Sequence, residues 1–357
     1  MSRVLAHVEK IEWIKPIEGK DRIVLAGILG WQVIVQKELY NVGDLCVFCE
    51  IDSIFPEKPE FEFLRSKNFR IKTMKMAGVL SQGICFPLDI LPAGKTYKIG
   101  TDVTNLLGIT QYEGTMDVEK ESTTKKKYPK FLMRWSWFRK LVKKRRKIQK
   151  TGFPKFLSRT DETRIQNAPF YLEKDCAWIA TEKVDGQSGS FVLERQKIGW
   201  KTTYDFAVCS RNLRVWKEDN SSYWKVAKKY DMEKVLRKLI GDAPWVAIQG
   251  ECVAPNVQGN KYHVTEADFY VFNVIYPEKR LGSLEAKKLV EKYGLKFVPI
   301  LEESVVLKGM SVTEVLDYAT GKSMLYDTLR EGIVFRTQDG TNSFKAVSPS
   351  FLIKHGE

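Results

Sequence analysis

The sequence predicts an α+β protein of two domains, an all-β unit followed by a mixed one. The chain has 357 residues, 43% of them hydrophobic and 12% aromatic, which is enough for two cores. Residues 1 to about 110 are short alternating apolar runs broken by turn residues, whereas from about 160 onward β-rich runs alternate with stretches at helical spacing. Residues 1–115 are read as the first domain, 116–159 as a basic connector and 160–357 as the second domain.

In the first domain, residues 21–25, 32–35 and 44–48 alternate as half-buried strands do, punctuated by Gly19, Gly27, Gly30 and Asn41-Val42-Gly43-Asp44. This is the pattern of a small barrel or sandwich with little helix. Residues 69–76 read as an extended ribbon that puts Arg70, Lys72 and Lys75 near one side. Such a face is either solvated or a surface for a nucleic-acid backbone.

The connector carries Lys125-Lys126-Lys127 and Lys143-Lys144-Arg145-Arg146-Lys147, with aromatics and cations mixed over 131–142 as in a short helix. A cation that neutralises a phosphate releases a counterion, so Lys143, Lys144, Arg145 and Arg146 are candidate nucleic-acid contacts. A solvated run and a nuclear-targeting peptide are the rival readings.

In the second domain, residues 231–240 and 283–293 show helical apolar spacing ending near Gly241 and Gly294. Residues 245–248, 269–275 and 332–335 are β-rich apolar runs, which makes this an α+β domain with buried sheets. The formal charge of +14 attracts polyanions. Cys46, Cys49, Cys85, Cys176, Cys209 and Cys252 lack the spacing of a disulfide framework, and the single C-x-x-C lacks a second ligand pair for zinc. They are expected to be reduced. No run reaches the ~18 apolar residues of a spanning helix, and the N-terminus has no cleavable apolar leader. A soluble intracellular monomer, cytoplasmic or nuclear, is expected.

The chemistry centres on Lys183-Val184-Asp185-Gly186, where a glycine could serve a turn. An unperturbed lysine is protonated, so Lys183 acts as a nucleophile only where its neutral form is favoured. Asp185, Glu251 and Glu331 could hold Mg²⁺, or Mn²⁺, through its waters and help do this. Lys345 could stabilise charge on an α-phosphate, Arg211 could anchor a sugar or phosphate, and Phe272 could stack on a purine.

Taken together, Lys183-x-Asp185-Gly186, Ser210-Arg211, Gly250-Glu251, the run 269–274, Glu331-Gly332 and Lys345 resemble motifs I, Ia, III, IIIa, IV and V of the covalent nucleotidyltransferases. Gln249-Gly250-Glu251 continuing to Val257-Gln258-Gly259-Asn260, with the upstream segment 160–167, looks like the ATP-dependent RNA ligases. Residues 1–115 are similar to the OB domain that a nick-sealing branch carries ahead of an adenylyltransferase domain of antiparallel sheets and flanking helices. The resemblance implies three steps: Lys183 attacks ATP to form lysyl-AMP, AMP passes to an RNA 5′-phosphate, and a 3′-hydroxyl displaces it.

It also implies that Asp185, Glu251 and Glu331 bind metal-ligated waters, that Phe272 stacks on adenine, that Lys345 contacts the α-phosphate and that Glu182 reads adenine. Asp185 and Glu251 would also meet the ribose. Two positions depart from the pattern. Val347 stands where many relatives have a second motif V lysine, for which Lys354 is a possible substitute, and Ser188 stands in place of asparagine. A DNA ligase, an mRNA guanylyltransferase and a non-catalytic OB-type binding protein are the alternatives.

Overall fold

The computed structural model describes residues 3–112, 152–198, 201–216 and 221–356. The candidate contacts Lys143, Lys144, Arg145 and Arg146, and the stretch 131–142, lie outside the described residues.

The first unit is a strand-built shell around one core. Strands Ala6–Lys10, Leu45–Cys49 and Ile84–Phe86 form one antiparallel sheet, and Trp13–Ile17, Lys20–Ile28 and Trp31–Gln36 form another. Alternation sets the inward face, so that Trp31, Val33 and Val35 are buried between half-exposed neighbours. The six cysteines are free, and Cys46 and Cys49 sit in this core.

A 3₁₀ segment joins these strands, and one local expectation changes. Residues Pro59–Lys67 form a 3₁₀ helix, with proline at its start and Phe61 and Leu64 buried beneath it. The cationic ribbon does not form as expected. Asn68 and Phe69 adopt left-handed backbone, φ 52° and 56°, which turns Arg70 inward, and only Thr73–Met76 is strand. Arg70 is buried, Lys72 is half-buried and Lys75 is exposed, so the three share no face.

The second unit has two sheets. Strands Ile300–Val306, Ala177–Lys183, Gly332–Thr337 and Ser343–Val347 lie in that order, all antiparallel. The larger sheet orders Arg214–Val215, Lys201–Cys209, Gln187–Ile198, Trp245–Val253, Asp268–Ile275 and Lys296–Phe297, with only the last pair parallel. Helix Met232–Leu239 buries Met232, Val235, Leu236 and Leu239, the i, i+3, i+4, i+7 face of an amphipathic helix. Each such side chain contributes ~1.5–3 kcal/mol on leaving water. Helix Val312–Ala319 begins with a capping box between Ser311 and Glu314.

This arrangement positions the motifs. The chain leaves the four-stranded sheet at Lys183 and enters the six-stranded one at Gln187, so Lys183-Val184-Asp185-Gly186 spans the gap between them. Gly332 pairs with Lys183, which brings Glu331 alongside, and Glu251 pairs with Ser188.

The two units meet through the segment after residue 160. The Gly30 amide donates to the Gln166 carbonyl at 2.9 Å, and a Cβ on residue 30 would lie 2.7 Å from the Gln166 Cα, so the approach needs glycine. Trp31 Nε1 donates to Asn167 Oδ1 at 2.5 Å, and Asn167 Nδ2 donates to Glu50 Oε1 at 2.6 Å. The same segment lies along strand Ser343–Val347, where the Lys345 amide donates to the Thr163 carbonyl at 2.8 Å. Among the described residues no helix is long and apolar enough to cross a membrane.

Candidate active site

A cleft of about 890 Å³ runs between the units and is lined by Glu182, Lys183, Asp185, Arg211, Glu251, Phe272, Glu331 and Lys345. The eight residues that sequence reasoning assigned to the nucleotide are therefore brought together. Arg70 lines the same cleft, while Lys72 and Lys75 do not.

Lys183 donates to Glu331 Oε2 at 2.5 Å. Burial favours its neutral amine, but the charges of Glu331, Glu251 and Asp185 outweigh burial and raise its pKa above the ordinary lysine value. Lys183 is thus held protonated by the carboxylates around it. Lys345 is the opposite case. Burial, with Arg164, Lys183 and Arg3 nearby, lowers its pKa to about 7. Among the described residues it makes no ion pair.

Burial pushes the Glu251 carboxyl up to about 8; Lys183 opposes this, while Glu331 and Asp185 add to it. Asp185 Oδ2 pairs with Lys261 Nζ at 2.9 Å. Among the described residues no three ligating side chains are grouped to hold a metal ion directly. Yet three hard carboxylates surround one amine, and burial, helped by the other two, forces one of them towards its protonated form. Such an over-acidic pocket fits a divalent cation held through water better than direct ligation.

Gly186 is not at a positive φ, so the turn explanation fails. A Cβ there would lie 2.5 Å from the Cys252 carbonyl oxygen, and the close approach of two chain segments is what requires glycine. The Asp185 amide donates to Tyr262 Oη at 2.7 Å, and Tyr262 stacks on Tyr326 with centroids 4.3 Å apart. Ser188 bonds the Thr160 hydroxyl, and its carbonyl accepts from Tyr223 Oη at 3.2 Å. These contacts orient the end of motif I where asparagine is missing.

Phe272 lies at a register shift, since Gln249 pairs with Asn273 but Gly250 with Val271. It is the extra residue of a β-bulge, which re-aims its side chain into the cleft that Val334 also lines. Arg336 lies behind it, 5.8 Å from the ring centroid, and bonds Glu162 at 3.0 Å.

Glu182 lines the cleft, but its carboxylate already accepts from Ser323 Oγ at 2.5 Å and the Met324 amide at 2.7 Å. Reading a base would fall to its remaining lone pairs. Arg211 forms a forked pair with Asp161, at 2.6 and 3.2 Å. Burial opposes ionisation of Asp161, and Arg211, with Lys345, overcomes it and holds that carboxyl below its usual range.

Lys354 sits exposed on helix Pro349–His355 and does not line the cleft, so it does not replace the missing motif V lysine. Arg3, Arg164 and Arg336 join Arg70 and Arg211 as further cations there, with Lys261 beside Asp185. Arg3, Arg164, Lys261, Asp52 and Tyr262 were not assigned to the site by sequence reasoning. Two carried a signal: Arg164 falls within the family-like segment 160–167, and Asp52 within Glu50-Ile51-Asp52-Ser53, which resembles the family's OB domain.

Residues 177–349 match a family model described as RNA ligase, and residues 5–88 match one described as an OB-fold domain. Naegleria gruberi RNA ligase with PPi superposes with a TM-score of 0.82 at 28% identity, covering 99% of each chain. This chain belongs to the ATP-dependent RNA ligases.

Two variants of the Naegleria enzyme match the ligase equally well. One with ATP and Mn has a TM-score of 0.81 at 28% identity, covering 99% of this chain and 98% of that one. Another with AMP and Mn has a TM-score of 0.81 at 28% identity, covering 99% of each. The substituted glutamate and lysine in these two are 14 positions apart, the spacing of Glu331 and Lys345 here. A search of curated proteins finds no match to the ligase. Its N-terminal unit is the expected OB domain.

Proposed function

We propose that the ligase joins RNA 3′-hydroxyl and 5′-phosphate ends at nicks in a duplex, with Mg²⁺ as the working ion and Mn²⁺ as a substitute. The observation that carries the residue assignments is the ring of Glu331, Glu251 and Asp185 around the Lys183 amine. When bound, a hydrated divalent ion supplies positive charge that weakens the hold of those carboxylates on the lysine proton. Once that proton has passed to solvent, the neutral Lys183 amine forms its N–P bond to the α-phosphorus as the bond to pyrophosphate breaks. Lys345 neutralises charge on the α-phosphate oxygens, and Phe272 holds adenine against the bulged strand.

AMP next passes from Lys183 to the RNA 5′-phosphate oxygen, and a 3′-hydroxyl displaces AMP to close the strand. Both units of one chain line the cleft, so a monomer suffices, and dependence on ATP favours an intracellular setting. The basic run at Lys143, Lys144, Arg145 and Arg146 would add salt-dependent RNA affinity. A DNA ligase, a guanylyltransferase or a non-catalytic binding protein would not combine this site with an RNA ligase relationship.

The deciding experiment is denaturing electrophoresis after incubation with α-labelled ATP. Lys183→Ala is expected to keep its fold and lose all covalent label. Label retained in that variant would remove Lys183 from its role.

A further inference from the structure

The segment that follows strand Trp245–Val253 takes an unusual path. Gln258, Gly259 and Asn260 adopt left-handed backbone in succession, φ 48°, 66° and 50°, and His263 follows at 53°. That conformation is costly for a residue with a Cβ, and it persists only where surrounding contacts over-determine it. Here they do. The Asn260 amide donates to the Val257 carbonyl at 2.7 Å, and the Asn260 side chain exchanges two hydrogen bonds with the Val264 backbone, at 2.9 and 3.0 Å.

The turn delivers two consecutive side chains to motif I. Lys261 Nζ pairs with Asp185 Oδ2 at 2.9 Å, and Tyr262 Oη accepts from the Asp185 amide at 2.7 Å. Carboxylate and main chain of one residue are thus gripped by one short segment. The ion pair is withheld from water, with 12% of the lysine side chain exposed and 9% of the aspartate. Lys261 also lies over the Phe351 ring, 4.9 Å from its centroid, and does not line the cleft, so it bears on the chemistry through Asp185.

With Lys183 on Glu331, this sets two ammonium groups among three carboxylates. A hydrated divalent ion and the Lys261 ammonium both draw on Asp185, so each weakens the hold of the other by the same factor. Nucleotide phosphates add the negative charge that tips the balance towards the ion.

We propose that Lys261 is a positioning residue that holds Asp185 before nucleotide binds and, as its resident counter-ion, keeps a divalent cation from settling there ahead of the nucleotide. This rests on the ligase reading above, in which Asp185 binds metal-ligated water.

The test measures Mn²⁺ binding to the full-length, nucleotide-free protein from the electron paramagnetic resonance of the free ion. Repulsion between an ammonium and a divalent ion that share one carboxylate is worth at least about tenfold even at the dielectric of bulk water. Lys261→Met, which keeps an unbranched chain over Phe351, is expected to bind Mn²⁺ at least about tenfold more tightly than wild type. Lys261→Arg keeps the charge and should bind it as weakly as wild type. Adding AMP should tighten Mn²⁺ binding in wild type and do so less in Lys261→Met. Unchanged or weaker Mn²⁺ binding by Lys261→Met would overturn the proposal, as would an equal gain in Lys261→Arg. So would a gain that survives Asp185→Asn in the same chain, which would put the ion elsewhere. Should Lys261→Met melt early, Lys261→Gln, uncharged but able to donate one hydrogen bond, carries the comparison. Failure of the wild type to take label from ATP would instead overturn the ligase reading, from which the nucleotide-free Mn²⁺ measurement stands apart.

Discussion

The depressed pKa of Lys345 makes nucleotide affinity a function of pH. With a pKa of about 7, set by burial and by Arg164, Lys183 and Arg3, the side chain is half charged at neutral pH in the empty cleft. At pH 8.5 only ~3% of it is charged, so a ligand that needs the cation loses roughly fifteenfold in affinity between pH 7 and 8.5. The sign is fixed by the group: a base with a lowered pKa loses its charge as pH rises through that value.

AMP in EDTA is the appropriate ligand. It has no leaving group for adenylylation, its phosphate is already dianionic above pH 7, and no metal ion intervenes. Glu251 ionises over the same interval and adds repulsion in the same direction. Lys345→Arg keeps a charge at every pH and retains only the Glu251 part of the slope. Calorimetric titration at pH 7.0, 7.5, 8.0 and 8.5 measures both proteins. An equal slope in wild type and Lys345→Arg, or a flat wild-type profile, would refute the assignment of Lys345 to the phosphate.

Phe272→Ala is expected to weaken AMP binding at pH 7 by about five- to hundredfold, the worth of one stacked base, with Phe272→Trp restoring it. Gly186→Ala must push a Cβ against the Cys252 carbonyl, destabilising the fold by ~1–3 kcal/mol in a urea melt and abolishing ATP labelling. Burial opposes a proton on His7, but hydrogen bonds to Glu50 and Glu9 prevail and raise its pKa to about 9. That contribution is complete below about pH 6.5 and is lost as pH rises through about 9, at most about 3 kcal/mol. His7→Gln should flatten the fall in denaturation midpoint over this interval, and an unchanged fall would assign it to other groups.

Local pattern was enough wherever local physics decides. Helix Met232–Leu239 was legible because its apolar spacing matches one helical face, and the Gly332–Thr337 strand because Ile333, Val334 and Phe335 are apolar and β-branched or aromatic. The site residues were legible because each lies within a short recognisable string. The rest depended on distant partners. Arg164 meets Asp52 across 112 positions, and Arg3 meets it across 49, which no periodicity reports. Arg70 was misplaced because two non-glycine residues, Asn68 and Phe69, adopt left-handed backbone just before it, where an alternating strand was expected. Gly186 suggested a turn because sequence shows that a side chain is missing but not which carbonyl would have struck it.

The backbone bond between Thr163 and Lys345 has a consequence for solubility. Strand Ser343–Val347 is the outermost of its sheet, and segment 163–164 runs beside it, with Arg164 bridged to Lys345. An uncovered strand at such a border offers its free amides and carbonyls to any extended chain it meets. The short stretch ahead of the catalytic sheet therefore acts as a selvage, finishing the weave so that it does not catch on another copy. A fragment cut just after Thr163 would expose that border and aggregate, while one that starts a few residues earlier keeps it sealed.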